Sequence, residues 1–202
     1  MNTLEEAGSD KPATGASSAI SPMAHPLDEF YARMGIPLPT LHRIEPEGVP
    51  QPYKSLLVHT QDMTPALEQF HGGRLRLRVL RREQREQSYL RGVTLILDGT
   101  DRAVAFGAIK INLALFSPAS RKDILLEKYP LGHILEEHAL PHSGRPRAFF
   151  AVEADDFISR ALLCSVHDSL YGRRNSLLDQ HQRSLAEVVE ILPSIESPRP
   201  TR

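Results

Sequence analysis

The stretch QSYLRGVTLILDGTDRAVAFGAIKIN, residues 87–112, decides the fold. Its first part, Gln87 to Leu97, is rich in β-branched and aromatic residues, and Asp98-Gly99 follows as a turn signal. Arg102 to Asn112 then returns as a second strand. Strands joined this tightly must run antiparallel. Just upstream, RLRLRVL (74–80) places Leu75, Leu77 and Val79 on one side and Arg74, Arg76 and Arg78 on the other, the alternation of a strand with one solvated face.

Further outward, Asp62 is positioned to cap a helix running through Met63, Leu67 and Phe70 and stopped by Gly72 and Gly73. Downstream, Ser117-Pro118 opens a helix continued by Ile124, Leu125 and Lys128, and Pro130 breaks it before a second short one, LGHILEEH (131–138). A strand through AFFAVEA (148–154), a helix from Asp155 to Cys164, and two closing strands, SLYGRRNSLL (169–178) and RSLAEVVEIL (183–192), complete the pattern, with DQHQ as the turn between the last two. The sum is α+β: a single antiparallel sheet of about six strands with helices on one side.

The organisation expected around this core is a disordered tail over 1–25, a helix (HPLDEFYARMG) and proline-rich wrapping segment over 26–52, a domain over 53–194 and a short tail over 195–202. The proline-punctuated segment is expected to wrap rather than pair. A chain of 202 residues and 22.6 kDa suffices for one ordinary domain, and 41% hydrophobic residues rule out wholesale disorder. Lys+Arg 24 against Asp+Glu 25 leaves a net charge of -1, which gives no bulk attraction to nucleic acid or an anionic membrane. No apolar run reaches the ~20 residues of a membrane helix, so a cytoplasmic location without membrane insertion is expected. Cys164 is the single cysteine, which excludes an internal disulfide and a thiolate metal cluster. Nine histidines invite a metal reading, but His133, His138 and His142 do not share a helical face, so they read as surface residues and no metal is expected.

Period-2 alternation exposes three anomalous charges. Arg91 shares a strand face with Tyr89, Val93, Leu95 and Leu97; Glu187 with Leu185, Val189 and Ile191; Lys110 with Val104, Phe106 and Ala108. A lone buried charge costs several kcal/mol unless paired or bound to something, about the penalty of leaving an ion partly desolvated. An Arg91–Glu187 ion pair or a strand end in water is one account. An enclosed pocket, with Arg91 and Lys110 holding a carboxylate and Glu187 managing a hydroxyl or proton, is the other.

Four segments, in order, resemble the chorismate lyase (chorismate–pyruvate lyase) family: LLVHTQDMTPALEQFHG (56–72), SYLRG (88–92), KYPLGHIL (128–135), and LYGRRNSLL (170–178) followed by LAEVVEILP (185–193). The resemblance covers about two thirds of the chain. It implies a sheet with helical flaps enclosing a small ligand pocket, and elimination of pyruvate from chorismate to give 4-hydroxybenzoate, or a related hydroxybenzoate, with no cofactor. The resemblance further implies aromatic acid biosynthesis in a ubiquinone-type pathway. It implies that Arg91 grips the ring carboxylate, that Met63, Leu131 and the adjoining Gly132 complete that site, and that Glu187 bonds the ring hydroxyl. Arg91 and Glu187 are then the catalytic pair. Lys110 is assigned to the second carboxylate or leaving oxygen, and Arg173 or Arg174 either to steering the anion or simply to pairing with acids, since neighbours on a strand cannot both face the pocket. Three residues depart from the family: Gly92 after the arginine, Ala186 before the glutamate, and an extra Glu190 on the other strand face from Glu187. The partner expected is a small-molecule substrate, chorismate or a related aromatic carboxylate, with no nucleic acid. The alternative is a non-catalytic aromatic-acid-binding or sensor domain of the same fold, against which no helix-turn-helix is legible.

Overall fold

Glycine, proline and turn chemistry punctuate the chain where the periodic segments end, and the computed structural model, which describes residues 23–195, breaks at those points. The elements are α1 (Leu27–Met34), β1 (Leu41–Ile44), α2 (Tyr53–Leu57), α3 (Met63–His71), β2 (Leu75–Arg85), β3 (Ser88–Leu97), β4 (Ala103–Asn112), α4 (Pro118–Leu126), α5 (Leu131–Glu137), β5 (His142–Glu153), α6 (Asp156–Leu162), β6 (Ser169–Asp179) and β7 (Ser184–Leu192). Gly72 ends α3 in the left-handed conformation, at φ 69°, where a side chain would be strained. Ser117 caps α4, its hydroxyl accepting from the Ser120 N–H at 3.1 Å. Asp62 occupies the corresponding position before α3, yet its carboxylate makes no cap bond.

The fold is α+β with one antiparallel sheet of seven strands in the order β1-β5-β6-β7-β4-β3-β2. The seventh strand is β1, inside the segment expected to wrap: Leu41–Ile44 pairs with β5, Leu41 opposite Val152. Its short LHRI run lies between prolines, and pairing rather than wrapping satisfies its backbone groups. Of the tails expected over 1–25 and 195–202, residues 1–22 and 196–202 lie outside the described residues, while Ala24 is buried.

Helices cover both faces rather than one. On the first face, Phe106, Ala108, Val189 and Ile191 pack against Leu27, Phe30 and Tyr31 of α1 and Ile158, Ala161 and Leu162 of α6. On the second, Ile109, Leu177 and Val188 meet Ile124 of α4 and Leu131, Ile134 and Leu135 of α5, while α2 and α3 cover Leu75, Ala105 and Phe149. Within residues 26–52, α1 therefore belongs to the core, to which it contributes Leu27, Phe30 and Tyr31.

Phe30 seats directly on Gly92, with its ring 6.4 Å from Phe106 and 5.7 Å from Phe157. A Cβ at position 92 would lie inside the Phe30 ring, so glycine is what lets α1 dock. Gly92→Ala should cost about 1–3 kcal/mol, as overpacking of a tight core does. A melting midpoint unchanged from wild type would contradict this seating.

Candidate functional site

The aromatic packing fills the first face, but the second is hollow at its centre. Strand residues Leu77, Val93, Ile109, Leu177 and Val188 and the first residues of α3 (Met63, Thr64) and α5 (Leu131, Gly132) enclose a cavity of about 70 Å³. The wall is apolar except for a few groups, the usual composition of a ligand site, although its volume is far below the ~300–1,000 Å³ of typical ligand clefts. An occupant would have to be small, or the starts of α3 and α5 would have to move outward.

Arg91 is the dominant charge. Its strand parity with Tyr89 and Val93 turns it inward and leaves it 1% exposed. One terminal nitrogen donates to the Ile124 carbonyl at 3.4 Å, the guanidinium carbon lies 5.8 Å from the Tyr89 ring centre, and the Nε–H has no protein acceptor. Burial lowers its pKa, opposed by Tyr89 and Glu127. Glu127 is itself engaged, accepting from the Tyr89 hydroxyl and pairing with Arg82. Among the described residues Arg91 thus has no carboxylate of its own.

At the other wall stand Glu190 and Asn175. Glu190 accepts from Arg173 Nε at 2.6 Å, and Arg173, fully buried, also donates to the carbonyls of Leu57 (3.1 Å), His59 (3.0 Å) and Gln61 (3.2 Å). Asn175 is 2% exposed, and its Oδ1 accepts no hydrogen bond. Beside them, Asp62 accepts from His142 Nε2 at 2.8 Å.

The sequence-derived site is divided by this geometry. Arg91, Met63, Leu131 and Gly132 line the cavity together, and Arg173 stands behind Glu190. Glu187 and Lys110 do not join them. They are paired with each other in the β4–β7 register, whereas Arg91 faces Ile109 and Glu190 faces Gly107. Side chains alternate across a strand, so Glu187 and Lys110 point to the α1 face. There Lys110 binds Glu29 at 2.6 Å, and Glu187 accepts from Ser176 (2.8 Å), Ser184 (2.7 Å) and Arg174 (3.2 Å). The carboxylate in the cavity is Glu190. The signal that could have found it was its shared parity with Ala186 and Val188, but choosing between faces requires the register between strands.

The histidines read as surface residues are each matched with an acid: His133 with Glu68 (3.0 Å), His138 with Asp123 (2.8 Å), His142 with Asp62. Asp62 raises the His142 pKa above its ordinary value, while burial and Arg173 lower that of His59.

No family model and no curated protein matches the chain. Among solved structures it is similar to PhnF from Mycobacterium smegmatis, at 9% identity and TM-score 0.53, over 68% of this chain and 65% of that one. It is similar also to the effector domain of PhnF from Mycobacterium smegmatis, at 10% identity and TM-score 0.50, over 66% and 88%. A lower likeness, 13% identity and TM-score 0.44 over 59% and 86%, is to the ligand-binding domain of a putative GntR-family transcriptional regulator from Bordetella bronchiseptica. At such identities the likeness is one of fold, and the chain spans 65% of the length of the first structure.

These findings correct the assignment to the chorismate lyase family and the enzyme class that came with it. The fold is shared with an effector domain, and the glutamate given to the ring hydroxyl lies across the sheet from Arg91. Lyase chemistry, pyruvate release and the biosynthetic pathway go with that assignment. A small-molecule ligand fits an effector-domain fold, whereas the expected absence of a nucleic-acid partner gains no support from these likenesses. Among the described residues no helix is long and apolar enough to cross a membrane.

Proposed function

We propose that this domain is a non-catalytic sensor that binds a small organic anion, of the aromatic-acid class, against Arg91. The observation that carries the reading is a guanidinium at 1% exposure that, among the described residues, has an Nε–H without an acceptor and no carboxylate of its own. A permanent charge in that state is costly when the cavity is empty and is relieved by an anion, which supplies both the missing acceptor and the missing charge. The uncapped start of α3 at Met63 and Thr64, with Leu131 and Gly132 opposite, completes the anion's surroundings with backbone N–H groups. Asn175 Oδ1 accepts a donor from the far end of the ligand, such as a hydroxyl. Because the chain has an effector-domain fold, occupancy is read out by a neighbouring domain or partner rather than by turnover.

Calorimetric titration with benzoate and its hydroxylated derivatives tests this. One saturable site is expected, tighter for a hydroxylated acid than for benzoate by about 0.5–1.5 kcal/mol, the net value of one hydrogen bond. Absence of binding across the series rejects the reading.

A further inference from the structure

The charged side chains that line the cavity are Asp62, Arg91 and Glu190. Glu190 is offset by Arg173 at 2.6 Å and Asp62 by His142 at 2.8 Å, leaving Arg91 as the uncompensated charge. The site is net positive only while His142 is protonated.

Geometry favours that protonation state. His142 Nδ1 lies 2.7 Å from the Leu140 carbonyl oxygen and Nε2 lies 2.8 Å from Asp62 Oδ2. With Asp62 ionised, both neighbours are acceptors, so both ring nitrogens donate, which only imidazolium does. The same bond explains why Asp62, at the cap position of α3, leaves the helix N–H groups uncapped.

Resting on the anion-sensor reading, we infer that His142 is a positioning residue for this site: by holding Asp62 as an ion pair it keeps the α3 N-terminus open and the cavity positive, so anion affinity falls as His142 loses its proton. Neutral His142 can no longer donate to both acceptors. Asp62 then becomes an uncompensated carboxylate on the cavity wall, free to turn onto the Thr64 N–H and occupy the position an anion would take. The raised pKa of His142 places this loss above about pH 6.5, the ordinary histidine value.

The other charges around His142 do not substitute for it. Opposite it in the β5–β6 ladder is Asp179, committed to Arg183 at 2.7 Å and to the N–H groups of His181 and Arg183 at 2.9 Å. At the end of α5, His138 is bonded to Asp123. His59, behind the Arg173–Glu190 pair, has its pKa lowered by burial and by Arg173, the opposite direction to His142.

The test is benzoate binding to wild type and His142→Gln at about pH 6 and about pH 8.5, a span that brackets histidine titration while benzoate stays ionised. Wild-type affinity should drop about tenfold between the two, the scale of removing one unit charge a few ångströms away in a protein-like dielectric. His142→Gln should bind at the weaker level at both. A wild-type readout does not depend on that variant folding: by linkage, saturating benzoate should raise the His142 pKa seen by NMR by about one unit. Equal wild-type affinity at both pH values, or an unmoved His142 titration, overturns this inference and leaves the sensor reading standing. No benzoate binding at either pH overturns both.

Discussion

Replacing Arg91 by methionine should abolish anion binding and raise the melting temperature in the same variant. The two effects share one cause. Arg91 is buried with an unpartnered Nε–H, a long bond of 3.4 Å to the Ile124 carbonyl, and the Tyr89 ring and Glu127 as its remaining offsets, so its desolvation cost is incompletely met. Methionine fills a similar volume among Val93, Ile109 and Leu131 and carries no charge. The gain should be about 1–2 kcal/mol, the lower part of what such replacements give. That corresponds to roughly 2–8 °C for a domain of this size. Loss of the charge-assisted contact should weaken benzoate at least about a hundredfold, or ~2.7 kcal/mol. Differential scanning calorimetry and a benzoate titration read the two halves separately. A variant that melts lower and still binds would make Arg91 a structural residue and end the sensor reading.

Arg173→Met should do the opposite to stability. Arg173 is as buried as Arg91, but each of its bonds has a purpose in the resting fold: Glu190 on the neighbouring strand and three carbonyls in the 57–61 segment that leads into α3. Removing it leaves a buried carboxylate and three carbonyls without their donor. Breaking a buried pair from one side costs about 3–5 kcal/mol, or roughly 6–20 °C in melting temperature. Glu190→Gln, which keeps an acceptor for Arg173, should cost less than half as much. Equal losses would mean that the ionic part of the bond, rather than the tether on 57–61, carries the energy. These paired variants separate two buried arginines that sequence alone treats alike: one held for the fold, one held for a ligand.

The elements legible in the sequence were those with local causes. Alternation gave β2 and β3, the Asp98-Gly99 turn gave the β3–β4 hairpin, and Gly72 and Ser117-Pro118 gave the ends of α3 and α4. Alternation also identified the faces of Arg91, Lys110 and Glu187 within their own strands correctly. It could not say which face of β3 continues into which face of β7, because that depends on pairing register and on the bulge near Leu95. Two charges that both looked buried were therefore brought to one pocket when the sheet separates them. Gly92, read as a departure from a family pattern, turned out to be the seat of Phe30, a contact 62 residues away in sequence that no local rule reveals. Likewise the segment up to residue 52 looked peripheral because proline dominates it, while its anchoring depends on a partner strand, β5, about 100 residues further on.

Arg173 and Glu190 face each other across the β6–β7 hairpin, three positions from where Ser176 faces Glu187 on the opposite side. A chain collapsing with this hairpin one residue out of step would turn Glu190 toward the α1 layer and Glu187 toward the hollow, and part both from their partners. Two residues out of step would keep the sides but strand Arg173 among Val188 or Leu192. Either mispairing is penalised on both sides of the sheet at once, so the two glutamates act as a combination that only one alignment of the hairpin opens. The fidelity of assembly is thereby written into the same strand that furnishes the cavity its carboxylate.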